Sequence, residues 1–323
     1  MLRRPMHVLI TAVLLATAGL AQAQPAYPNR VVRVIVPYTV GTSMDLAART
    51  VSQKASERWG VPVVIENRPG AGGNIGSDAV AKATPDGYTL LLNGTTLVIN
   101  PHVLATMPFD VQKHFAPVIQ LVKGTLALTV PGSLPARSLA EFVAYVKARP
   151  GQLNYASPGN GTPHHVGMEL LKTSLGLEIV HVPYKGTGPA VTDLLGGRVT
   201  AMMLPPPVAL PQEKDGQLRI LAAGTTRRSP LTPHVPTFEE QGQRGLDPDY
   251  WIGIFAPVGM PEDMLRKLNA DLSATIADPA TRELLEKQGF VTTGTTPEGM
   301  AKIIADDLVR WGNVVRAAKI RAD

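Results

Sequence analysis

The chain has 323 residues, 44% of them apolar and 18% charged, with a formal net charge of +5 and no cysteine. That composition is globular rather than disordered, and the length exceeds what one hydrophobic core usually organises, so two domains are expected. The missing cysteines exclude disulfides, a thiol nucleophile, a cysteine-based zinc site and a lipoprotein anchor, and without a dense Lys/Arg run nucleic-acid binding has no support.

Met1 to Ala23 reads as a secretory signal peptide, with Arg3 and Arg4 as a positive start, Val8 to Leu20 as the apolar stretch and Ala21-Gln22-Ala23 as the cleavage site. The apolar run is shorter than the roughly 20 residues that span a bilayer, which separates a leader from an anchor. Cleavage removes two arginines and leaves a formal charge of +3. An exported, unlipidated chain points to the periplasm.

The first mature unit is Val31 to Ala48. A β-branched run predicts a buried strand to Val36, a break follows at Pro37 and Gly41, and a helix resumes with Thr42 or Ser43 as its N-cap and Asp45 in its first turn. A strand that feeds a helix through small polar residues leaves backbone N–H groups aimed into a crevice, which suits an anion. Val61 to Glu66 is a second strand, and the glycine-rich stretch Asn67 to Gly76 leads into a helix over Ser77 to Ala83. This is not a dinucleotide fingerprint, because Ile75 stands where the last glycine of G-x-G-x-x-G belongs. Tyr88 to Asn93 is a third strand, ending at Gly94-Thr95-Thr96; the stretch from Asn100 to Pro117 reads as irregular surface with short helical turns.

Val118 to Val130 is β-prone and interrupted at Lys123-Gly124, as a strand crossing between domains would be. Ser138 to Lys147 predicts an amphipathic helix with Leu139, Phe142, Val143 and Val146 on one face. Leu153 to Ser157 is a short strand; the loop Pro158 to His165 precedes a helix over Val166 to Leu175. Ile179 to Pro183 repeats the pattern, with Tyr184 to Gly188 as its loop, Lys185 beside it, and a helix from Pro189 to Leu195. Val199 to Leu204 and Leu218 to Ala223 are strands, the former ending in Pro205-Pro206-Pro207. Tyr250 to Ala256 is the last long strand, with the return between domains somewhere from Gly224 to Trp251. Helices follow over Glu262 to Ile276, Ala280 to Gln288 and Pro297 to Ala318, the last burying Ile303, Ile304, Leu308, Val309 and Trp311. The order predicts two α/β lobes joined by two strands, with a cleft between them.

Ligands of open α/β sheets collect at the carboxyl ends of strands. The candidate binding residues are therefore Tyr38, Thr39, Gly41, Thr42, Ser43, Asp45, Gly94, Thr95, Thr96, Asn160, Gly161, Thr162, His165, Tyr184, Gly186, Thr187 and Gly188. Asp45 suits a helix cap better than contact with an anionic ligand. For catalysis, Ser43 is not in a G-x-S-x-G elbow, and no H-E-x-x-H or other metal spacing occurs. The alternative function is a periplasmic serine hydrolase using Ser157 or Ser43 with His165. Neither a metal nor a cofactor is expected.

Several stretches together resemble one family: Arg33 to Pro37, Val64 to Gly76, Pro85 to Leu90, Leu153 to Ser157, His181 to Gly186 and Asp193 to Gly197. In order along the mature chain, they resemble the substrate-binding receptors of the tripartite tricarboxylate transporters, the Bug receptors. The resemblance implies a Venus-flytrap (type II) periplasmic-binding-protein fold, with residues 1–23 as leader, 24–124 and 247–323 as lobe 1, and 125–246 as lobe 2. It implies a monomeric receptor that captures a small carboxylate for a two-component membrane permease, or for sensing. The carboxylate would sit among loops Tyr38 to Asp45, Gly94 to Thr96, Asn160 to His165 and Tyr184 to Gly188. Two departures stand out. Thr39-Val40-Gly41-Thr42 replaces the family's Pro-Pro-Gly-Gly, and Met203 to Pro207 replaces a more polar segment. The second implies a ligand with an apolar far end, aromatic or long aliphatic.

Overall fold

Eleven strands fall into two sheets in the computed structural model, which describes residues 27–321; the leader read at residues 1–23 lies outside the described residues. In chain order the strands are β1 (Val32–Val36), β2 (Val63–Asn67), β3 (Thr89–Gly94), β4 (Phe115–Thr125), β5 (Ala127–Pro131), β6 (Asn154–Ser157), β7 (Val180–Pro183), β8 (Ala201–Leu204), β9 (Leu218–Ala223), β10 (Asp249–Pro257) and β11 (Phe290–Thr292). The first sheet runs β11-β4-β10-β3-β1-β2 and the second β7-β6-β8-β5-β9. Pairing is parallel from β1 to β2 and β3, and from β6 to β7 and β8; β10 runs antiparallel to both β3 and β4.

Alternation along each strand builds a core on both faces of each sheet. Val34, Leu90 and Leu92 pack with Ala47, Ala48 and Val51 of the helix Ser43–Trp59 and with Leu268 and Leu272 of the helix Glu262–Ala277. Ile35 and Leu91 join the opposite core with Leu97, Met300 and Trp311. In the second sheet, Leu128, Tyr155 and Met203 meet Phe142 and Met168, whereas Ala127, Met202 and Leu204 meet Ala190, Leu194 and Ala209.

The chain crosses between sheets at Leu126 and returns between Ala223 and Asp249. The two passages are tied together: the Leu126 amide donates to the Pro248 carbonyl (3.1 Å) and the Gly224 amide to the Leu126 carbonyl (2.9 Å). A Cβ on Gly224 would lie 2.6 Å from Pro248 Cδ, so only glycine lets the passages close up.

The structure corrects several expected elements. Part of the stretch expected as irregular surface, Asn100 to Pro117, is regular: Asn100 to Val103 end a buried helix, Thr96–Val103, which contains Pro101, and β4 already begins at Phe115. Helices also begin earlier than expected, at Asn74, Pro163 and Thr187, and Pro206 opens a further one, Pro206–Lys214. In the last helix, Pro297–Ala317, Ile304 and Trp311 are buried but Val309 is 64% exposed, because the buried stripe drifts past it at 3.6 residues per turn. That helix closes the first sheet from below. Trp311 is among the largest fully buried side chains, and Trp311→Ala is expected to cost about 3–5 kcal/mol. Urea denaturation checks this, and an unchanged midpoint would remove Trp311 from the core.

Candidate functional site

Two strand-to-helix loops, one from each sheet, are built alike. After β1, the Thr42 hydroxyl donates to the Thr39 carbonyl (3.0 Å) and accepts from the Asp45 amide (3.3 Å), while Asp45 Oδ2 accepts from the Gly41 amide (3.0 Å). After β6, the Thr162 hydroxyl donates to the Gly159 carbonyl (2.8 Å) and accepts from the His165 amide (3.4 Å), while His165 Nδ1 accepts from the Gly161 amide (3.2 Å). Each loop is thus Gly-Thr-x-x-acceptor: threonine caps the helix, and the side chain three residues beyond it folds back on the glycine amide. The glycines take φ of +85° and +72°, the left-handed region that side chains avoid.

These bonds decide which groups remain free for a ligand. Asp45 is 1% exposed, and its carboxylate also accepts from Arg49 Nε (2.9 Å) and Asn67 Nδ2 (2.9 Å). Burial works to raise this carboxyl, but the hydrogen bonds from Arg49, the Gly41 amide and Asn67 outweigh it and hold it below its ordinary value. Asp45 therefore shapes its loop and offers no free carboxylate to the cleft. Thr95 is likewise engaged, its hydroxyl accepting from the Trp251 amide (2.9 Å), and Gly94 is there for close approach, since a Cβ would meet the Trp251 carbonyl at 2.1 Å. Ser43 faces the buried Tyr250 phenol, which burial pushes up to about 12.

Tyr38 donates to Asn93 Oδ1 (2.9 Å), and the Thr96 side chain also faces its phenol, which burial pushes up to about 12. In the second lobe the Tyr184 amide bonds the Ser157 carbonyl and the Gly186 amide the Pro158 carbonyl, so loops 157–165 and 184–188 are tied together. Tyr184 Oη donates to Asp193 (2.7 Å) and is not free. The amides of Thr187 and Gly188, at the start of the helix Thr187–Leu195, have no partner among the described residues, and neither does the Thr187 hydroxyl. They join the first-turn amides of Ser43 and Met44 as open donors.

The lobes meet at Gly161, where a Cβ would lie 3.4 Å from Val103 Cγ1 and 3.6 Å from Asn100 Oδ1. Asn100 donates to the Gly72 carbonyl (2.9 Å) and to Asn74 Oδ1 (3.0 Å), which fixes the glycine-rich turn against this contact. Sequence reasoning missed Asn100 because Pro101 beside it reads as a helix breaker. Loop 38–45 makes no hydrogen bond with loop 184–188 among the described residues, and Asn160 is exposed.

Behind the second-lobe loop lies a stack that spacing did not reveal. The His165 and His181 rings stack at 3.8 Å and 11°, Tyr155 stacks on His181 at 4.9 Å, and Ser157 Oγ meets His181 Nε2 at 2.7 Å. Tyr155 in turn donates to Glu169 (2.5 Å), which also binds Lys172 (2.6 Å). Burial, then His181 and Lys172, push His165 down to about 3; burial, then Lys172, push His181 down to about 4. The expected Ser157–His165 pair is therefore corrected: the partner of Ser157 is His181, Ser157 is fully buried, and no carboxylate is bonded to His181 among the described residues. Ser43, the other serine of that alternative, has a tyrosine partner instead of a histidine. Nor do any three His, Asp or Glu side chains come together to hold a metal among the described residues.

Comparison with known proteins bears on this geometry. The family model described as the tripartite tricarboxylate transporter family receptor matches residues 47–320. Protein BugT of Bordetella pertussis is 36% identical over 311 residues, covering 95% of each chain. Among solved structures, R. palustris Rpa4515 with adipate is 34% identical with a TM-score of 0.85, covering 92% of this chain and 100% of its own. The periplasmic binding protein BugD is 30% identical with a TM-score of 0.82 over the same shares.

The stacked imidazoles make the second-lobe loop sensitive to acid. Both hold folded-state values below the free 6.5, so the unfolded chain takes up protons first as pH falls. Their stabilisation is present above about 6.5 and declines as pH drops from there towards about 4 for His181 and about 3 for His165. His165→Asn keeps an acceptor for the Gly161 amide without titrating, and its melting temperature is expected to fall less than that of the wild type between pH 6.5 and 5. Identical pH slopes would show that the stack does not titrate as its burial requires.

Proposed function

Because the chain belongs to the tripartite tricarboxylate transporter receptor family, whose members are periplasmic solute receptors, we propose that it captures a small carboxylate between lobes formed by residues 24–124 with 247–323 and by 125–246. The protein is a receptor and not an enzyme. The observation that carries the ligand class is the donor set. Open amides stand at helix starts in both lobes, at Ser43 and Met44 in one and at Thr187 and Gly188, with the Thr187 hydroxyl, in the other, while Asp45, the one carboxylate in these loops, is already bonded to Arg49 and Asn67. Such a set binds an anion through neutral donors and helix dipoles. The solved relative with adipate supports a carboxylate with an aliphatic body. The segment Ala201 to Pro207 brings no polar side chain to the end of β8, in keeping with an apolar far end for the ligand.

On this reading Tyr38, Thr39, Gly41, Thr42, Gly94, Thr95, Asn160, Gly161, Thr162, His165, Tyr184 and Gly186 shape or line the cleft, with Thr96 facing Tyr38. The ligand favours the closed arrangement by contacting both lobes, since only differential affinity shifts such a balance. The leader at residues 1–23 would deliver a monomeric receptor to the periplasm, where it would serve a two-component permease.

Thermal unfolding of the leaderless protein against adipate, malate, citrate and benzoate tests the ligand class. A ligand at 100 times its Kd adds about 2.7 kcal/mol of stability, so one panel member is expected to raise Tm by several degrees. Thr187→Val is expected to leave the unliganded Tm unchanged and to weaken that ligand roughly three- to tenfold, the worth of one hydrogen bond. A flat panel on protein shown by mass spectrometry to carry no trapped ligand would refute the carboxylate.

A further inference from the structure

A second cavity lies on the other side of the crossing. It is a half-open hollow of about 370 Å³ beside the two passages, lined by Lys123 and Thr125, by Thr225 and Arg227, and by Asp247 and Asp249. Sheet order separates it from the cleft. In the first sheet β10 stands between β4 and β11, which border the cavity, and β3 and β1, whose ends carry cleft loops. In the second sheet β5 stands between β9, whose end enters the cavity, and β8, β6 and β7. The volume falls within the range of small-molecule sites, which favour domain junctions.

Its polar groups are unsatisfied in a patterned way. The Thr125 and Thr225 hydroxyls are buried without a hydrogen-bond partner among the described residues. Arg227 has no ion pair or hydrogen bond there either, whereas its neighbour Arg228 is held by Glu240 at 2.8 Å. Asp249 is paired with Arg310 (3.0 Å) and more loosely with Lys123 (3.8 Å), but the Asp247 carboxylate accepts no hydrogen bond among the described residues. Burial, then the like charge of Asp249, push the Asp247 carboxyl up to about 6, against the pull of Arg310 and Lys123. One unpaired guanidinium and one carboxylate that accepts no hydrogen bond among the described residues thus line a single cavity, over two buried threonine hydroxyls. A lone anion would meet Asp247 and Asp249, and a lone cation would meet Arg227 and Lys123.

We propose that this cavity is a second ligand site, built for a small zwitterion whose carboxylate meets Arg227 and whose ammonium meets Asp247. The site is independent of the ligand class assigned to the cleft. Because the crossing lies between the two spaces, rotation that narrows one widens the other, so an occupant here acts on lobe closure.

Amide NMR of the leaderless protein provides the test, with glycine, L-alanine, L-proline and 4-aminobutyrate as probes and acetate and methylammonium as single-charge controls. At least one zwitterion is expected to give saturable shifts at residues 123–125, 224–229 and 247–249. Binding should weaken roughly tenfold or more in Arg227→Ala and in Asp247→Asn, the loss of a charge-assisted bond, and persist in Thr187→Val. Arg227 is exposed, so its variant decides the matter even if Asp247→Asn fails to fold. Shifts confined to the cleft loops, no shifts at all, or acetate or methylammonium binding as tightly as the zwitterions would overturn the proposal.

Discussion

The molecule depends on how its two passages lie against each other. Leu126 takes a hydrogen bond on each side, from its amide to Pro248 and to its carbonyl from Gly224, so three short segments behave as a narrow strip of sheet between two large ones. Proline at 248 restricts one passage, and glycine at 224 permits its contact with the other. Such a strip bends at few torsions while leaving both sheets intact, which is the requirement for rigid lobes that move. The loops after β1, β3, β6 and β7 lie on one side of it and the cavity at Arg227 and Asp247 on the other.

The cleft loops answer a different constraint. A loop that presents backbone donors must hold its shape without consuming them, so other groups must satisfy its internal polar atoms. The Gly-Thr-x-x-acceptor arrangement does this twice with different chemistry, carboxylate in one lobe and imidazole in the other. An aspartate can serve beside Arg49, which neutralises it. In the second lobe Lys172 is engaged with Glu169, and a neutral imidazole stacked on His181 supplies the acceptor without adding a charge near an anion.

Much of this was legible in the chain. The strand runs ending at Val36, Asn93, Ser157 and Pro183, each followed by small polar residues, locate the loops because strand-to-helix turns need glycine and a hydroxyl cap. The helix Thr96–Val103 was not legible, since nearly all its residues are buried and an all-round buried helix has no polar face to set a period. Pro101 compounds the difficulty: it signals a break, yet a proline near the end of a short helix sacrifices little. His181 was invisible for another reason. Its pairing with Ser157 arises from parallel pairing of β6 with β7, a relation between residues 24 apart that spacing alone does not encode.

Neutral donors in the cleft also bear on release. An arginine buried against a carboxylate would bind strongly in every lobe arrangement and would be left as an uncompensated charge when the ligand departs. On the proposed reading, amides at helix starts would remain hydrated while the lobes are apart and gain strength as water leaves the closing cleft. Affinity is then concentrated in the closed state, and opening alone weakens the grip. The one lysine in these loops, Lys185, is exposed and unpaired among the described residues, so on the proposed reading it would add positive field without a fixed bond. A receptor that must surrender its ligand to a membrane partner has reason to keep its charges at that distance.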